Sequence, residues 1–173
     1  MTGVVFRTNR LSIRGLQATD VDAIFTVYSD PIGCRWVGDG KPITMNECVQ
    51  WVAVTHKNYQ VRGYGMYTAV HRELDEIIGF GGIVHPGGQE AAEIKYAIHP
   101  QWWGQGLATE LAAGLLCHAV ESHNLSRVIS TISSQNTASL RVAERIGMNH
   151  YDSRREDDES ITEVFEYTAA KAT

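Results

Sequence analysis

The feature that most constrains this chain is a change of hydrophobic period around two glycines, Gly104 and Gly106. Before them, residues 93–98 alternate between apolar and other side chains, which is the pattern of a β-strand. After them, apolar pairs recur every four residues from 107 to 120, which keeps one face of a helix buried. A strand therefore runs into a long helix through a turn that contains both glycines.

Such a turn favours an anion as its ligand. Glycine adopts backbone angles that side chains forbid, and it leaves amide N–H groups accessible at a helix start, where the helix dipole is positive. A Walker A loop would need Lys-Ser or Lys-Thr after Gly106, but Leu107 and Ala108 follow. The dinucleotide pattern would need a glycine at the position of Thr109. The turn therefore predicts a diphosphate site that belongs to neither of these nucleotide-binding loops.

The spacing around the turn matches a third kind of loop. Gln101-x-x-Gly104-x-Gly106 follows a strand that ends in His-Pro. Residues 100–110 thereby resemble the acetyl-CoA loop of the GNAT acetyltransferases, in the form that is usual in their RimJ/RimL-type branch. A helix start with two convenient glycines is the alternative, but it would leave Gln101 unexplained.

Two further segments carry the same resemblance. Residues 136–148 read N-x-x-S-x-R-x-x-E-x-x-G-M, which resembles the GNAT segment beside the pantetheine arm. Residues 10–31 open with R-L-x-I-R-x-L and close with I-F-x-x-Y-S-D-P, which is similar to the start of RimJ/RimL-type chains. Segments that match in the expected order are more specific than any one of them alone.

The resemblance and the patterns together predict the fold. The GNAT likeness implies one α/β (α+β) acetyltransferase domain over residues 1–173, with a mixed, mostly antiparallel central sheet of about six to seven strands. The sheet is expected to be splayed after its fourth strand and to carry helices on both faces. Apolar alternation places the strands at residues 10–16, 64–70, 76–84, 93–98, 127–132, 150–155 and 161–168.

Local signals add detail to these elements. Thr19 is predicted to cap the first helix, and Thr44 with Glu47 forms a capping box for the second. The buried face of the second helix is expected to consist of Val49, Val52, Ala53 and His56. Cys117 is interpreted as a small core residue of the long helix. The three glycines between residues 79 and 82 predict a bulge or a close backbone approach.

The resemblance also assigns a cofactor site to positions of this sequence. It implies an acetyl-CoA site made by the end of the strand, the glycine turn, the first helical turn and the start of the later segment: Tyr96, Ala97, Ile98, Gln101, Trp103, Gly104, Gln105, Gly106, Leu107, Ala108, Thr109, Asn136 and Ser139. In the family the sheet splays beside this strand. A backbone amide near Ala97 or Ile98 is therefore expected to stabilise the oxyanion.

Two side chains are candidates for catalysis. Glu93 is the candidate general base, because its strand parity separates it from the apolar side of the strand. Lys95 shares its face and is able simply to pair with it. Ser139 matches the family position near the sulfur and is predicted to hydrogen-bond the departing thiolate.

A tyrosine acid is not carried over from the family. Several GNAT branches use a tyrosine seven residues after the asparagine, and that position is Ala143 here. Tyr96 and Tyr151 are left as tyrosines that could reach the site. Asn136 has two interpretations, a helix cap and a contact to pantetheine.

The predicted function is acetyl-CoA-dependent transfer of an acetyl group to a primary amine by direct attack in a ternary complex. A protein N-terminal amine is the candidate acceptor, by resemblance to RimJ/RimL-type enzymes. Two alternatives stay open: acetylation of a small amine such as a polyamine, an amino acid or an antibiotic, and an acyl-CoA-binding sensor without turnover. The chain is expected to be a monomer or a homodimer.

Composition argues against other classes of partner. A net charge of −5 disfavours general nucleic-acid binding, and no apolar run approaches the ~20 residues that a bilayer crossing needs. Three scattered cysteines without metal-ligand spacing predict no metal site. Reduced thiols and the lack of a signal-peptide pattern at the N-terminus lead us to expect a cytoplasmic protein.

Overall fold

In the described part of the chain, eight strands form one sheet and four α-helices lie on its two faces. The computed structural model describes residues 3–38 and 40–169. The strands are β1 (Val4–Arg7), β2 (Leu11–Gly15), β3 (Met66–His71), β4 (Ile77–Val84), β5 (Ala92–Ile98), β6 (Arg127–Ser133), β7 (Asn149–Arg155) and β8 (Ile161–Thr168). The helices are α1 (Val21–Ser29), α2 (Met45–Arg62), α3 (Leu107–His123) and α4 (Thr137–Arg145). The order in the sheet is β1-β2-β3-β4-β5-β6-β8-β7.

Two apolar clusters explain why helices cover both faces. Ile94 and Ile98 of β5 belong to one cluster with Leu111 of α3. Ala97, also on β5, belongs to the other cluster with Ile24 of α1. Because successive side chains of a strand point to opposite faces, β5 contributes to both clusters, and the site described below lies at its end.

The predicted fold class is confirmed. The sheet is mixed, and of its neighbouring pairs only β5 and β6 run parallel in the described residues. It has eight strands where the sequence predicts six to seven, because the four residues of β1 are too few to show an alternation. The single domain is predicted over residues 1–173, of which 1–2, 39 and 170–173 lie outside the described residues, and it stays a prediction.

Two local predictions are wrong. Thr19 does not cap α1, because the N-cap is Asp20, and the Asp20 side chain makes no capping bond either. Its buried carboxylate instead accepts hydrogen bonds from Arg14 and Thr68. Cys117 is exposed on α3 and is no part of the core.

The second helix begins as predicted but buries a different face. Thr44 and Glu47 form the capping box, and α2 continues to Arg62 before Gly63 ends it in the left-handed conformation. The buried side chains of α2 are Cys48, Val52 and Thr55, whereas Val49, Ala53 and His56 are exposed. Valines lie on both the buried and the exposed sides of this helix, so the apolar pattern does not identify the buried side.

The sheet opens between β5 and β6. β4 and β5 stay paired along β5 as far as Ile98. In contrast, β5 and β6 pair only at Ala92 with Val128 and at Glu93 with Ile129. Beyond Glu93 the edge of β5 has no neighbouring strand among the described residues. This opening is the splay predicted after the strand at 93–98.

Glycines in β4 let the neighbouring strands approach closely. A Cβ on Gly79 would overlap the carbonyl oxygen of Ala97, and a Cβ on Gly82 would overlap that of Gly65. The ladder between β3 and β4 also shifts register just after Ala69. The predicted bulge and close backbone approach are both present, and the approach at Gly79 brings β5 close to β4 while the other edge of β5 stays open.

Candidate active site

The turn between β5 and α3 has the backbone that its two glycines predict. Gly104 and Gly106 both have a φ of +76°, in the left-handed region that glycine adopts without strain. Gly106 is the N-cap of α3 and offers no side chain to the first amides of the helix. A Cβ on Gly104 would meet nothing within 4 Å, so the turn is open on that side.

A row of unsatisfied donors lines this turn. Among the described residues, the backbone N–H groups of residues 104–109 donate to no protein acceptor. The first helical hydrogen bond runs from the amide of Glu110 to the carbonyl oxygen of Gly106, at 3.1 Å. The dipole of α3 adds a positive field at the same place. Accessible amides at a helix start form a site for a phosphate or diphosphate.

A cation lies beside the turn. Arg10 donates from Nη1 to the carbonyl oxygen of Gln105 at 2.8 Å, and from Nε to Glu110 Oε2 at 2.7 Å. Glu110 Oε1 also accepts from the Arg10 amide and the Thr8 hydroxyl, both at 2.6 Å. Burial by itself would raise the pKa of Glu110, but the Thr8 and Arg10 donors together hold that pKa below its usual value.

Sequence reasoning missed the role of Arg10. The contact joins residue 10 to residues 105 and 110, and no spacing rule links positions so far apart. The one signal was the place of Arg10 in the opening R-L-x-I-R motif. Its guanidinium braces the glycine turn and balances the charge of Glu110.

The flank of the turn is tied to the end of β5. Trp103 Nε1 donates to the carbonyl oxygen of Ile98 at 2.7 Å, although 48% of Trp103 is exposed. The preceding Trp102 stacks on His71, with ring centroids 5.5 Å apart. Gln101 is exposed, and its side chain makes no hydrogen bond to a described residue. Trp103 thus holds the turn in place, and Gln101 is available to a ligand.

The open edge of β5 presents backbone amides to the gap. His99 donates its amide to Ile78 of β4 at 2.9 Å. Because successive amides of a strand point to opposite edges, the amides of Ile98 and Tyr96 point away from β4, to the side of the splay. The Ala97 amide points to β4. Of the two positions that the sequence left open for an oxyanion donor, the geometry favours Ile98.

Where the backbone ladder between β5 and β6 ends, side-chain hydrogen bonds connect the two strands. Glu93 is 1% exposed, and its carboxylate accepts from Lys95 Nζ at 2.6 Å, from the Thr131 amide at 3.0 Å, from Gln89 Nε2 at 3.2 Å and from the Thr131 hydroxyl. Lys95 also donates to the Thr131 hydroxyl at 2.8 Å. We call Gln89, Glu93, Lys95 and Thr131 the splay bridge. It connects the two strands at the vertex of the opening.

The start of α4 lies at the same opening. Asn136 Oδ1 accepts from the amide of Ser139 at 3.2 Å, so Asn136 caps α4 as predicted. The hydroxyl of Tyr96 lies close to Ser139. Tyr151 is exposed on β7 with the Arg127 guanidinium 5.1 Å from its ring centroid, and it takes no part in this group.

A second polar cluster lies on β7 and β8, beside an open surface depression of about 670 Å³. His150 Nε2 is 2.7 Å from Glu163 Oε2 and 3.2 Å from Ser153 Oγ. In a hydrolase triad the carboxylate and the hydroxyl contact different ring nitrogens, and here both contact Nε2. The cluster therefore lacks the proton relay that activates a serine nucleophile.

Two other kinds of site have no candidate in the described part of the chain. Within residues 3–38 and 40–169, no three His, Cys, Asp or Glu side chains are grouped to hold a metal ion. In the same part of the chain, no helix combines the length and the apolar character that a bilayer crossing requires.

Comparison with known families decides the class of protein. The sequence profile of the acetyltransferase (GNAT) domain matches residues 10–149. The chain belongs to the GNAT family. YoaA of Bacillus subtilis (strain 168), described as an uncharacterized N-acetyltransferase, is 26% identical to this GNAT chain over 145 residues, which are 83% of this chain and 81% of YoaA. The protein is therefore an acyltransferase, as the sequence predicts.

Solved structures of acetyltransferases share the fold. The acetyltransferase from Agrobacterium tumefaciens str. C58 is 30% identical, with a TM-score of 0.81 over 95% of this chain and 94% of that one. RimL, described as a ribosomal L7/L12 alpha-N-protein acetyltransferase in complex with coenzyme A, has a TM-score of 0.82 over 96% of this chain and 98% of that one. RimL is 19% identical, so this likeness concerns the fold alone.

Proposed function

We propose that the protein is an acetyl-CoA-dependent N-acetyltransferase of the RimJ/RimL-type branch that acetylates a primary amine. The observation that carries this proposal is the row of free amides from residue 104 to residue 109, at the helix start beside the open edge of β5. The row supplies donors for a diphosphate, and the open edge leaves room for a thioester between two strands. A cytoplasmic enzyme, as a monomer or a homodimer, is part of the same proposal.

The residues of the turn fit the cosubstrate. Open space over Gly104, the left-handed angles of Gly106 and the adjacent Arg10 guanidinium form a cradle for negative charge. Gln105 and residues 107–109 contribute backbone amides to it. When bound, acetyl-CoA supplies an activated acyl group. The chain itself holds the phosphates and orients the acyl carbon in the gap.

The Ile98 amide is the proposed oxyanion donor. It points into the gap because β4 takes up the amides on the other edge of β5. A fixed backbone dipole at the place where negative charge develops stabilises the transition state without reorganisation. The Trp103 indole, bonded to the carbonyl oxygen of Ile98, holds this peptide in place.

The role of Glu93 as general base stays a prediction, and its contacts favour another role. A buried carboxylate whose two oxygens both already accept hydrogen bonds is poorly placed to take a proton from an amine. We propose that Glu93 fixes the width of the splay through Lys95 and Thr131. The amine then loses its proton to water.

An α-amine is the acceptor that fits such a site. Without a free carboxylate at the vertex, the amine must reach its neutral form largely through its own pKa. That pKa is roughly 8 for an α-amine and about 10.4 for a lysine side chain. A protein N-terminus, the class of substrate named for RimL, and a small α-amine both meet this condition. A polyamine does so less well.

Two measurements test the proposal. Acetyl-CoA or CoA, added well above micromolar concentration, is expected to raise the melting temperature. Mass spectrometry after incubation with acetyl-CoA is expected to show a gain of one acetyl group on peptides with a free N-terminus, and less on polyamines. Stabilisation without any product would indicate a sensor instead of an enzyme. The absence of stabilisation would overturn the proposal altogether.

A further inference from the structure

The hydroxyl of Tyr96 is a buried polar group without a partner. Its oxygen is inaccessible to solvent, and it makes no hydrogen bond of acceptable geometry to any described residue. Ser139 is the polar side chain close to it. Buried hydroxyls in folded proteins are nearly always paired, because an unpaired one loses its hydration without compensation. This orphan hydroxyl, next to Ser139 and beside the open edge of β5, is placed to donate to a group that arrives with a ligand.

The position of Tyr96 is set by the fold around the splay. It lies on β5 beyond Glu93, the last residue that pairs with β6. Its side chain belongs to the apolar cluster that includes Leu140 of α4, so it projects to the face of the sheet that carries α3 and α4. On β4, a Cβ at Gly81 would come within 3.1 Å of the Tyr96 Cβ, so glycine makes room for the base of this side chain.

The surroundings keep this hydroxyl protonated. Burial raises the pKa of Tyr96, and the neighbouring Ser139 side chain lowers it by less. A primary amine attacks only in its neutral form, which becomes abundant at neutral to alkaline pH. Tyr96 therefore remains a hydrogen-bond donor over the pH range in which the reaction runs.

We propose that the Tyr96 hydroxyl, assisted by Ser139, donates a hydrogen bond to the sulfur that departs during acetyl transfer. The inference rests on the proposed function. The amine nitrogen forms a bond to the carbonyl carbon, and the bond between that carbon and sulfur then breaks. Its electron pair goes to sulfur, and the hydroxyl stabilises the resulting thiolate. The proton lost by the amine nitrogen goes to water. The donor thus comes from the central strand, whereas the helical position that holds a tyrosine in several GNAT branches is Ala143 here.

The test compares Tyr96→Phe with the matched control Tyr151→Phe, whose hydroxyl lies on the exposed β7. The first readout is the pKa of the bound CoA thiol, followed by thiolate absorbance as a difference spectrum with and without CoA. In the wild type this pKa is expected to lie below that of free CoA. It is expected to rise in Tyr96→Phe and to stay unchanged in Tyr151→Phe.

Turnover and stability complete the test. Loss of a hydrogen bond to a charged sulfur is expected to lower kcat by about 10- to 100-fold, with little change in KM for acetyl-CoA. The melting temperature of Tyr96→Phe without ligand is expected to be equal or higher, because the substitution removes an unpaired buried hydroxyl. Ser139→Ala is also expected to lower kcat.

Separate outcomes would overturn the two levels of the argument. A wild type that neither binds CoA nor forms product removes the proposed function. An active wild type whose Tyr96→Phe variant keeps both its kcat and the pKa of its bound thiol removes this inference alone. So does a Tyr96→Phe variant with a lower melting temperature and an unchanged thiol pKa, since Tyr96 would then be a packing residue.

Discussion

At the scale of single residues, Gly106 is the position where the backbone conformation of the turn most clearly requires glycine. Its φ of +76° and its place at the N-cap of α3 allow the following amides to point at a ligand. We expect Gly106→Val to raise KM for acetyl-CoA about tenfold or more, because the side chain strains the turn and covers donors that each contribute roughly 1.5–3 kcal/mol to a charged partner. Steady-state kinetics measures the change.

Gly63→Val is the matched control for this prediction. Gly63 has a φ of +81° at the end of α2, outside the turn, and a Cβ there would make only ordinary contacts with the His123 ring. The control is expected to lose stability through the same backbone strain while KM for acetyl-CoA stays near the wild-type value. Equal KM values in both variants would show that the turn does not bind acetyl-CoA.

Glu93 offers a second test at this scale, because a base and a positioning residue respond differently. We expect Glu93→Gln to lower the free energy of unfolding by about 1–3 kcal/mol, since Lys95 and Thr131 lose a charged acceptor. The loss of kcat is expected to be similar at all pH values. A loss that grows steadily as pH falls would instead identify Glu93 as the base. Urea unfolding and a pH–rate profile separate the two outcomes, and Glu166→Gln on the surface serves as the control.

Among the elements, α3 depends on a brace that comes from the β1–β2 turn. Arg10 donates both to the glycine turn and to Glu110 in the first turn of α3. We expect Arg10→Gln to raise KM for acetyl-CoA about three- to tenfold, because Glu110 is left as an unbalanced negative charge near the proposed phosphate site. Isothermal titration with CoA measures the affinity directly.

Arg127→Gln is the control for the brace. Arg127 pairs with Glu166 at 2.9 Å and is 43% exposed at its side chain, against 40% for Arg10. The two pairs are therefore alike in exposure and differ in place. If both variants weaken CoA binding equally, a general change of surface charge is responsible and the brace is not.

The elements also show what the sequence was able to predict. The strand, the glycine turn and α3 follow from local period and glycine chemistry, and Thr44 with Glu47 is a local capping signal. The brace at Arg10 and the splay bridge through Thr131 join distant positions, so no local pattern reveals them. The prediction of the buried face of α2 was wrong for a related reason, since only packing against α1 and the sheet distinguishes Val52 from Val49.

For the whole molecule, a histidine pair predicts how stability depends on pH. Burial first, and then the neighbouring His123, lower the pKa of His118 from 6.5 to about 4. The two Nε2 atoms lie 3.1 Å apart. Between these two pKa values the unfolded chain binds more protons than the folded one. The contribution of His118 to stability is therefore fully present above pH 6.5 and is lost as the pH decreases towards 4.

The variant His118→Gln tests this dependence. It is expected to reduce the difference between the urea midpoints measured at pH 8 and at pH 5, because glutamine does not titrate. Any loss of packing changes both midpoints alike and cancels in the difference. An unchanged difference between the midpoints would show that other groups cause most of the loss of stability at acidic pH. The buried Asp20 carboxylate, with its lowered pKa, is one such group.

The two pairs that join β5 to β6 form a narrow seam between a five-stranded and a three-stranded part of the sheet. Elsewhere in the described sheet, neighbouring strands are joined by antiparallel hydrogen-bonded ladders. At the seam, most of the β5 edge has no paired strand. Force applied across the molecule would concentrate there. A molecule bound in the cleft would contact both parts of the sheet and so connect them. After it dissociates, the two parts would separate first at the seam.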